Sequence, residues 1–356
     1  RVWLDGQAAV DIPAAAAPDF VLPNGRGLGY GDFDLDAHSR SWLLMHLPEM
    51  GDALTRASAW LTLWDDMLGC RIAPAELLDL ALRAIGLERH ELNLQRVLQH
   101  VERLFWVFLS VPERSTWATA LEHAITDRLQ ASSAPTERAA LFASLRATAT
   151  TPRTVEWLHQ VWSGEAAVDG LPIGEADLIA LTCELAIRLD GGHTLITRQL
   201  SRTSNRDRRD ALAFVAPALS ADPVDRDRFF RSLSLEANRA REPWVVDGLR
   251  WLHHPLRAAS AVQYLLPGLQ MLEELRRTGD IFLPKRCLDA MLWGHTSPDA
   301  ARIVRTFVAT RPAGYPAALT RMVLASADAL FRTTRDTTDH ETGHDRAKGL
   351  ENPKDL

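Results

Sequence analysis

The stretch that decides the fold covers residues 238–295. It reads NRAREPWVVDGLRWLHHPLR (238–257) and, after a short link, YLLPGLQMLEELRRTGDIFLPKRCLDAMLWGH (264–295). Apolar residues recur in it at offsets of three, four and seven, the spacing of one face of an α-helix. The pattern predicts three amphipathic helices. Their core faces are Val245, Leu249 and Leu252, then Leu265, Leu269, Leu272 and Leu275, then Leu288, Met291 and Leu292.

Proline and glycine mark the ends of these helices. Pro243 is typical of a helix start, and Pro255 of a helix stop. Gly279 ends the long middle helix. Within that helix, Pro267 and Gly268 predict a kink or a break, because proline removes a backbone donor. The stretch therefore predicts helices joined by tight turns.

The same arrangement continues along most of the chain. Helical patterns of about 10–20 residues, joined by about two to six residues, favour antiparallel neighbours. No strict repeat period is present, which argues against tetratricopeptide and ankyrin repeats. About sixteen helices are too many for one closed bundle. We therefore predict a mainly α fold, with a HEAT-like α–α superhelix over residues 36–331.

The two ends of the chain differ from this helical region. Residues 20–22 and 28–35 alternate apolar with small or acidic residues around a turn signal. We predict a short β segment over residues 1–35, at the edge of a preceding β-domain or as a hairpin packed on the helices. Residues 332–356 have few apolar side chains. They cannot bury enough surface to offset their chain entropy, so we predict a disordered polar tail.

Composition limits the classes of function. Apolar residues make up 46% and charged residues 24%, the balance of a soluble globular protein. The net charge of −6 argues against a nucleic-acid partner. No apolar run reaches the ~18–20 residues of a membrane helix, so no membrane span is predicted. Cytoplasm and periplasm both stay open. The well-separated Cys70, Cys183 and Cys287 are predicted to be buried free thiols, with a disulfide or a reactive thiol as the alternative.

One segment matches a zinc motif. HETGH (340–344) has the H-E-x-x-H pattern, in which two imidazoles on one helix face hold zinc. It lies in the polar tail, where Gly343 and neighbouring threonines disfavour a helix. No apolar residues surround it. We therefore interpret His340, Glu341 and His344 as a chance match and predict no metal site and no catalytic residue in this chain.

Several other charged or aromatic groups are predicted to have structural rather than functional roles. His253 and His254 are predicted to complement the charge at a helix C-terminus. Asp65 and Asp66 are predicted to form a solvated edge. The tryptophans are predicted to pack between helices, with peptide or sugar stacking as the alternative.

Three segments are the most specific markers of a known family: EPWV (242–245), LHHPLR (252–257) and GDIFLPK (279–285). Together with other segments in the same order, they resemble the C-terminal helical domain of M1 family zinc aminopeptidases, of the aminopeptidase N-like, bacterial branch. The other segments are FVLPN (20–24), LGYGDFDLD (28–36), RASAW (56–60), LWD (63–65), NRDR (205–208), FVAPAL (214–219) and RDRFF (226–230).

The resemblance implies a role for the chain. In that family a separate domain carries the zinc H-E-x-x-H motif, a third glutamate ligand and a G-x-M-E-N loop, and this chain has none of these in that arrangement. It implies a capping, substrate-chamber domain that is not catalytic by itself, in an enzyme that removes N-terminal residues from peptides. The implied partners are the catalytic domain of the same polypeptide and peptide substrates. Zinc is implied for the full enzyme, and no cofactor for this chain.

The resemblance also suggests binding residues, since basic side chains on the inner wall hold the far end of the peptide in some relatives. Arg257, Lys285 and Arg286 are the candidates here. The alternative is a stand-alone helical-repeat scaffold that binds a protein or peptide partner.

Overall fold

The computed structural model describes residues 18–29 and 31–334. Regular secondary structure in these residues is helical, apart from one isolated bridge between Val168 and Leu171. The prediction of a mainly α fold is confirmed. Every helix in the described ranges is too short or too polar to span a bilayer.

The chain divides into two compact units, Arg1–His100 and Val101–Leu356. The predicted domain boundaries after residues 35 and 331 stay predictions. The helices of the first unit are α1 (Ala37–His46), α2 (Ala53–Leu68), α3 (Pro74–Leu87) and α4 (Glu91–Arg103), the last of which ends in the second unit.

The second unit continues the series of helices after a short π-helical segment, Leu104–Phe108. Its helices are α5 (Val111–Ala131), α6 (Pro135–Thr148), α7 (Pro152–Ser163), α8 (Glu175–Arg188), α9 (Gly192–Arg202), α10 (Arg206–Leu219), α11 (Pro223–Ser232), α12 (Glu242–Leu252), α13 (Ala258–Ala261), α14 (Leu265–Gln270), α15 (Leu272–Thr278), α16 (Leu283–Leu292), α17 (Pro298–Thr310), α18 (Ala317–Ser326) and α19 (Asp328–Thr333).

The predicted β segment is not present in the described part of residues 1–35. Residues 18–29 and 31–35 contain no strand, and a turn occupies residues 23–26. Its backbone groups bond to side chains instead of to a neighbouring strand. The Asn24 side chain bonds to both backbone groups of Gly29, and the Ser58 hydroxyl donates to the Asn24 carbonyl at 2.7 Å. The remainder of the segment, residues 1–17 and 30, lies outside the described residues.

The helical pattern of the long middle helix predicts a helix over residues 258–278, and the structure interrupts it. It consists of α13, a 3₁₀ turn at Val262–Tyr264, α14 and α15. Pro267 and Gly268 lie within α14, and α14 and α15 are separated at Met271. Pro267 is tolerated because it occupies the first turn of α14, where backbone N–H groups need no helical partner.

The core of the second unit contains the faces predicted from residues 238–295. All ten predicted core residues of those three faces are buried, and they belong to one hydrophobic cluster. Helix α12 packs against α10 and α16, and α16 also packs against α18. Burying each such leucine stabilises the fold by about 1.5–3 kcal/mol.

Apolar residues at the helical period predict a buried face of α2 that consists of Leu54, Ala57, Leu61, Trp64 and Leu68. The observed buried face is a different one. The apolar positions Leu54 and Leu61 are 56% and 54% exposed, whereas Trp60 and Leu63 are buried. The buried face also carries Asp66, which is fully buried although a solvated edge was predicted for it. That prediction was wrong because the Asp66 carboxylate accepts hydrogen bonds from two arginines, Arg40 at 2.7 Å and Arg71 at 2.8 Å.

The cysteines follow the prediction in two of three cases. Cys183 and Cys287 are buried free thiols. Burial raises the pKa of the Cys287 thiol to about 12, so it stays protonated. Cys70 is exposed, and the prediction of burial was wrong for it. It lies in the turn after α2 with a φ of 61°.

Candidate functional site

A cleft of about 500 Å³ opens in the second unit. It is lined by side chains of α5, by the first turns of α7 and by residues 167–169, and it is called the α5–α7 cleft below. This volume lies within the range of small-molecule sites, about 300–1,000 Å³. It is therefore the candidate functional site of the chain.

Glu122 of α5 lines the cleft and is only 2% exposed. Its carboxylate accepts hydrogen bonds from the backbone N–H groups of Thr150 at 2.7 Å and Thr151 at 2.9 Å, and from the Thr151 hydroxyl. Thr151 is the N-cap of α7, so the carboxylate lies where a helix favours negative charge. Glu122 thus anchors the start of α7 to α5.

Helix α7 supplies a cation and an aromatic ring to the cleft. Pro152 begins the helix, and the Thr151 hydroxyl accepts a hydrogen bond from the N–H of Thr154 at 3.3 Å. Arg153 and Trp157 are four residues apart, so they share one helix face, and both line the cleft. The indole of Trp157 meets the ring of Phe142 edge-on at 6.1 Å.

A tight turn supplies the third wall. The N–H of Leu171 donates to the carbonyl of Val168 at 3.0 Å, and Gly170 has a φ of 66°. The Arg138 guanidinium donates to the carbonyls of Ser132 and Asp169. The positive φ of Gly170 lies in the left-handed region, which favours glycine at this position of the turn. The turn presents the exposed Asp169 carboxylate to the cleft.

The cleft thus combines the charge of Arg153, the charge of Asp169, the imidazole of His123 and an aromatic surface. This set of groups suits binding of a small ligand that carries both charges. No group of three or more His, Cys, Asp or Glu side chains in residues 18–29 and 31–334 is placed to hold a metal ion. The H-E-x-x-H match at His340, Glu341 and His344 lies outside the described residues.

Replacing Glu122 by Gln is expected to lower the free energy of unfolding by about 1–2 kcal/mol, because the charge-assisted hydrogen bonds to the start of α7 are weakened. Chemical denaturation measures this. The matched control is Glu156→Gln, an exposed change on α7, the helix that Glu122 anchors, and it should be nearly neutral. Equal stability of Glu122→Gln and the wild type would contradict the anchoring role.

The three residues predicted to bind a peptide lie elsewhere and are engaged locally. Arg257 donates to the Ser220 carbonyl at 2.8 Å, beyond the end of α10, and burial lowers the pKa of its guanidinium to about 10. Lys285 bonds to Asp289 at 2.6 Å, and Arg286 bonds to Glu242 at 2.9 Å. Lys285 and Arg286 are adjacent on α16, and none of the three lines the cleft. Their role in peptide binding stays a prediction.

His253 and His254 are buried, with 0% and 2% exposure, so the prediction that they complement a helix charge was wrong. Nδ1 of His253 lies 2.8 Å from Nε2 of His295. His254 is surrounded by the rings of Trp106, Trp251 and Trp293. Burial lowers the pKa of all three imidazoles, which are therefore neutral near neutral pH.

The cleft residues were missed by sequence reasoning, although one signal was present. The spacing of Arg153 and Trp157 indicates a shared helix face, yet the tryptophan was interpreted as packing between helices. No sequence signal joins His123 and Asp169 to that face, because tertiary packing brings them there.

The chain is similar to a known protein over part of its length. No family model matches the chain. The chain is 25% identical over 218 residues to an aminopeptidase N of Streptomyces lividans. The chain is a distant relative of aminopeptidase N. The match covers 60% of the chain but only 25% of that protein, so the chain corresponds to about a quarter of its relative.

Proposed function

We propose that this chain is the C-terminal capping domain of an M1-type zinc aminopeptidase, which encloses a peptide chamber together with the catalytic domain of the same polypeptide. The observation that carries the proposal is the match to aminopeptidase N, over 60% of a mainly helical chain that corresponds to a quarter of that enzyme. Such an enzyme removes N-terminal residues from peptides.

A HEAT-like stack is part of the proposal for the second unit. Helices that follow one another in sequence pack together there, as α5 does with α6, α7 with α8 and α8 with α9. Helix α10 likewise packs with α11 and α12. Packing between sequence neighbours is the defining contact pattern of helical solenoids, and it supports this arrangement.

Zinc is proposed for the catalytic domain. The described residues of this chain do not fit a zinc site, since they provide no cluster of three ligands. Zinc in such enzymes activates the attacking water. The present chain contributes walls and binding groups, and its own part in the reaction is to position the peptide.

Arg257, Lys285 and Arg286 are proposed to attract the peptide carboxylate. In the full-length enzyme, replacing all three by Ala is expected to raise KM for short peptides about tenfold with little change in kcat. Arg257 also bonds to backbone carbonyls, so its replacement can destabilise the fold. The Arg257→Ala variant and the Lys285→Ala/Arg286→Ala double variant are therefore assayed separately, and thermal unfolding of each variant is measured. An unchanged KM would remove these residues from the proposal.

The aminopeptidase proposal itself is tested through the coding region that precedes Arg1. We expect an in-frame domain with the zinc motif, and chelator-sensitive hydrolysis of N-terminal leucine substrates by the full translated protein. The chain alone should be inactive. A start codon at this position, with no such domain, would favour the alternative of a stand-alone helical scaffold.

A further inference from the structure

We propose that the α5–α7 cleft binds a free α-amino acid or a short peptide by its charged amino and carboxyl termini. The proposal concerns residues of this chain alone and does not depend on a zinc domain. It assigns the peptide carboxylate to Arg153 and the ammonium group to Asp169. Trp157 and its apolar neighbours would contact the ligand side chains.

Two charged groups of the cleft, both of them exposed, have no protein partner in the described part of the chain. Within residues 18–29 and 31–334, neither the Arg153 guanidinium nor the Asp169 carboxylate has a hydrogen-bond or ion-pair partner. Elsewhere in the second unit arginines pair with carboxylates, as Arg128 does with Glu137 at 2.6 Å. An unpaired cation and an unpaired anion that line one cleft are complementary to a ligand that carries both charges.

The guanidinium, rather than the start of α7, is the anion-binding group. The backbone N–H groups of Thr150 and Thr151 are bonded to Glu122, and that of Thr154 is bonded to Thr151. Pro152 has no N–H group. Three backbone N–H groups at the helix start are therefore already bonded, and the nearby Glu122 carboxylate disfavours a second anion there.

The remaining lining groups fit the middle of a peptide. Leu129, Val168 and Trp157 offer apolar surface, and the hydroxyls of Thr119 and Thr126 can bond to peptide groups. A phosphate or nucleotide would meet the negative charges of Glu122 and Asp169. A neutral sugar would leave both unpaired charges of the cleft unmatched. Each extended residue adds about 3.3–3.6 Å between the amino and carboxyl termini of a peptide. Ligands of different length therefore place their two charges at different distances.

The test is calorimetric titration of the full 356-residue chain. The probes are leucine, Leu-Leu, Leu-Leu-Leu, N-acetyl-Leu-Leu and Leu-Leu-amide. We expect saturable binding of at least one free zwitterion and a loss of about tenfold or more when either terminus is blocked. The strongest binder among the three unblocked probes identifies the length of the ligand.

Variants assign each charge to a residue. Arg153→Gln is expected to weaken binding of the best zwitterion about tenfold and to leave binding of its amide nearly unchanged. Asp169→Asn should weaken the same ligand and leave its N-acetyl form nearly unchanged. The matched controls Arg209→Gln and Asp190→Asn change exposed charges of the same unit outside the cleft.

Three outcomes would overturn the proposal: no saturable binding of any probe, equal affinity for blocked and free ligands, or equal losses in the cleft variants and in the controls. Binding of a probe to this chain alone would support ligand binding by the α5–α7 cleft even if the aminopeptidase proposal fails. Failure of binding would leave that proposal intact, because its test is catalytic.

Discussion

Replacing Gly294 by Ala is expected to lower the free energy of unfolding by about 3 kcal/mol or more. Gly294 follows α16 in the stretch that decides the fold. A Cβ at this position would lie 2.0 Å from the carbonyl oxygen of His253 and 2.9 Å from the nitrogen of Pro255. Both are backbone atoms, so no side-chain rotation relieves the clash. The link after α12 would have to move away from α16, and the buried faces of both helices would separate.

Chemical denaturation of the Gly294→Ala variant measures this loss. The control is Gly86→Ala, at an exposed position within α3 where a Cβ would meet nothing within 4 Å. That change is expected to be neutral or to stabilise by up to about 1 kcal/mol, because alanine favours a helix over glycine. A Gly294→Ala variant as stable as the wild type would show that the two segments do not approach as closely as described.

The helix boundaries were predictable because local residues set them. Helix α17 begins after Ser297, whose hydroxyl accepts a hydrogen bond from the N–H of Ala300 at 3.2 Å, and Pro298 occupies its first position. Such caps act over a few residues of sequence, so they are visible without the tertiary structure. The same holds for the buried faces of α12 and α16, whose apolar residues follow the helical period without interruption.

The buried face of α2 was not predictable in this way. It carries Arg56, whose guanidinium donates to the Glu88 carboxylate at 2.8 Å, and Asp66, which two arginines neutralise. Glu88 lies 32 residues from Arg56, and Arg40 lies 26 residues from Asp66. Both charged residues of α2 therefore favour an exposed face when the sequence is considered alone. The structure buries them because their charges are compensated, which reverses the assignment of the helix faces.

The candidate site was less predictable than the fold for a related reason. The family resemblance suggests Arg257, Lys285 and Arg286 as peptide-binding residues. In the structure, each of them bonds to nearby groups of this chain. The unpaired charges of Arg153 and Asp169 lie in the cleft, where packing of α5, α7 and a turn brings them together. Whether a charge is paired is a tertiary property, and it has no periodic sequence signal.

Acidification is expected to destabilise the second unit because it contains three buried neutral imidazoles. Burial lowers the pKa of His295 to about 4, and it lowers the pKa of His253 and His254 well below the usual value. The positive charges of Arg188, Arg250, Arg257 and Arg114 act in the same direction on His254. Nδ1 of His253 and Nε2 of His295 share one hydrogen bond, in which one nitrogen donates and the other accepts. Both rings are neutral in this arrangement.

The direction of the effect follows from the pKa difference between the two states. Unfolded histidine has a pKa of about 6.5, so below that pH the unfolded chain binds protons that the folded chain does not. The free energy of unfolding therefore falls as the pH decreases from about 6.5 toward about 4. For His295 alone, the loss between about pH 7 and about pH 5 is about 2 kcal/mol. His253 and His254 add losses of the same sign.

Denaturant unfolding at about pH 7 and about pH 5 tests this expectation, in a range where most carboxylates stay ionised. His295→Gln keeps a hydrogen-bonding side chain beside His253 but removes one titrating group. This variant should lose about 2 kcal/mol less than the wild type between the two pH values. His193→Gln, an exposed change in the same unit, should follow the wild type. Equal pH dependence of His295→Gln and the wild type would mean that the pKa of His295 is the same in the folded and unfolded chains. That result would contradict the lowering of this pKa by burial beside His253.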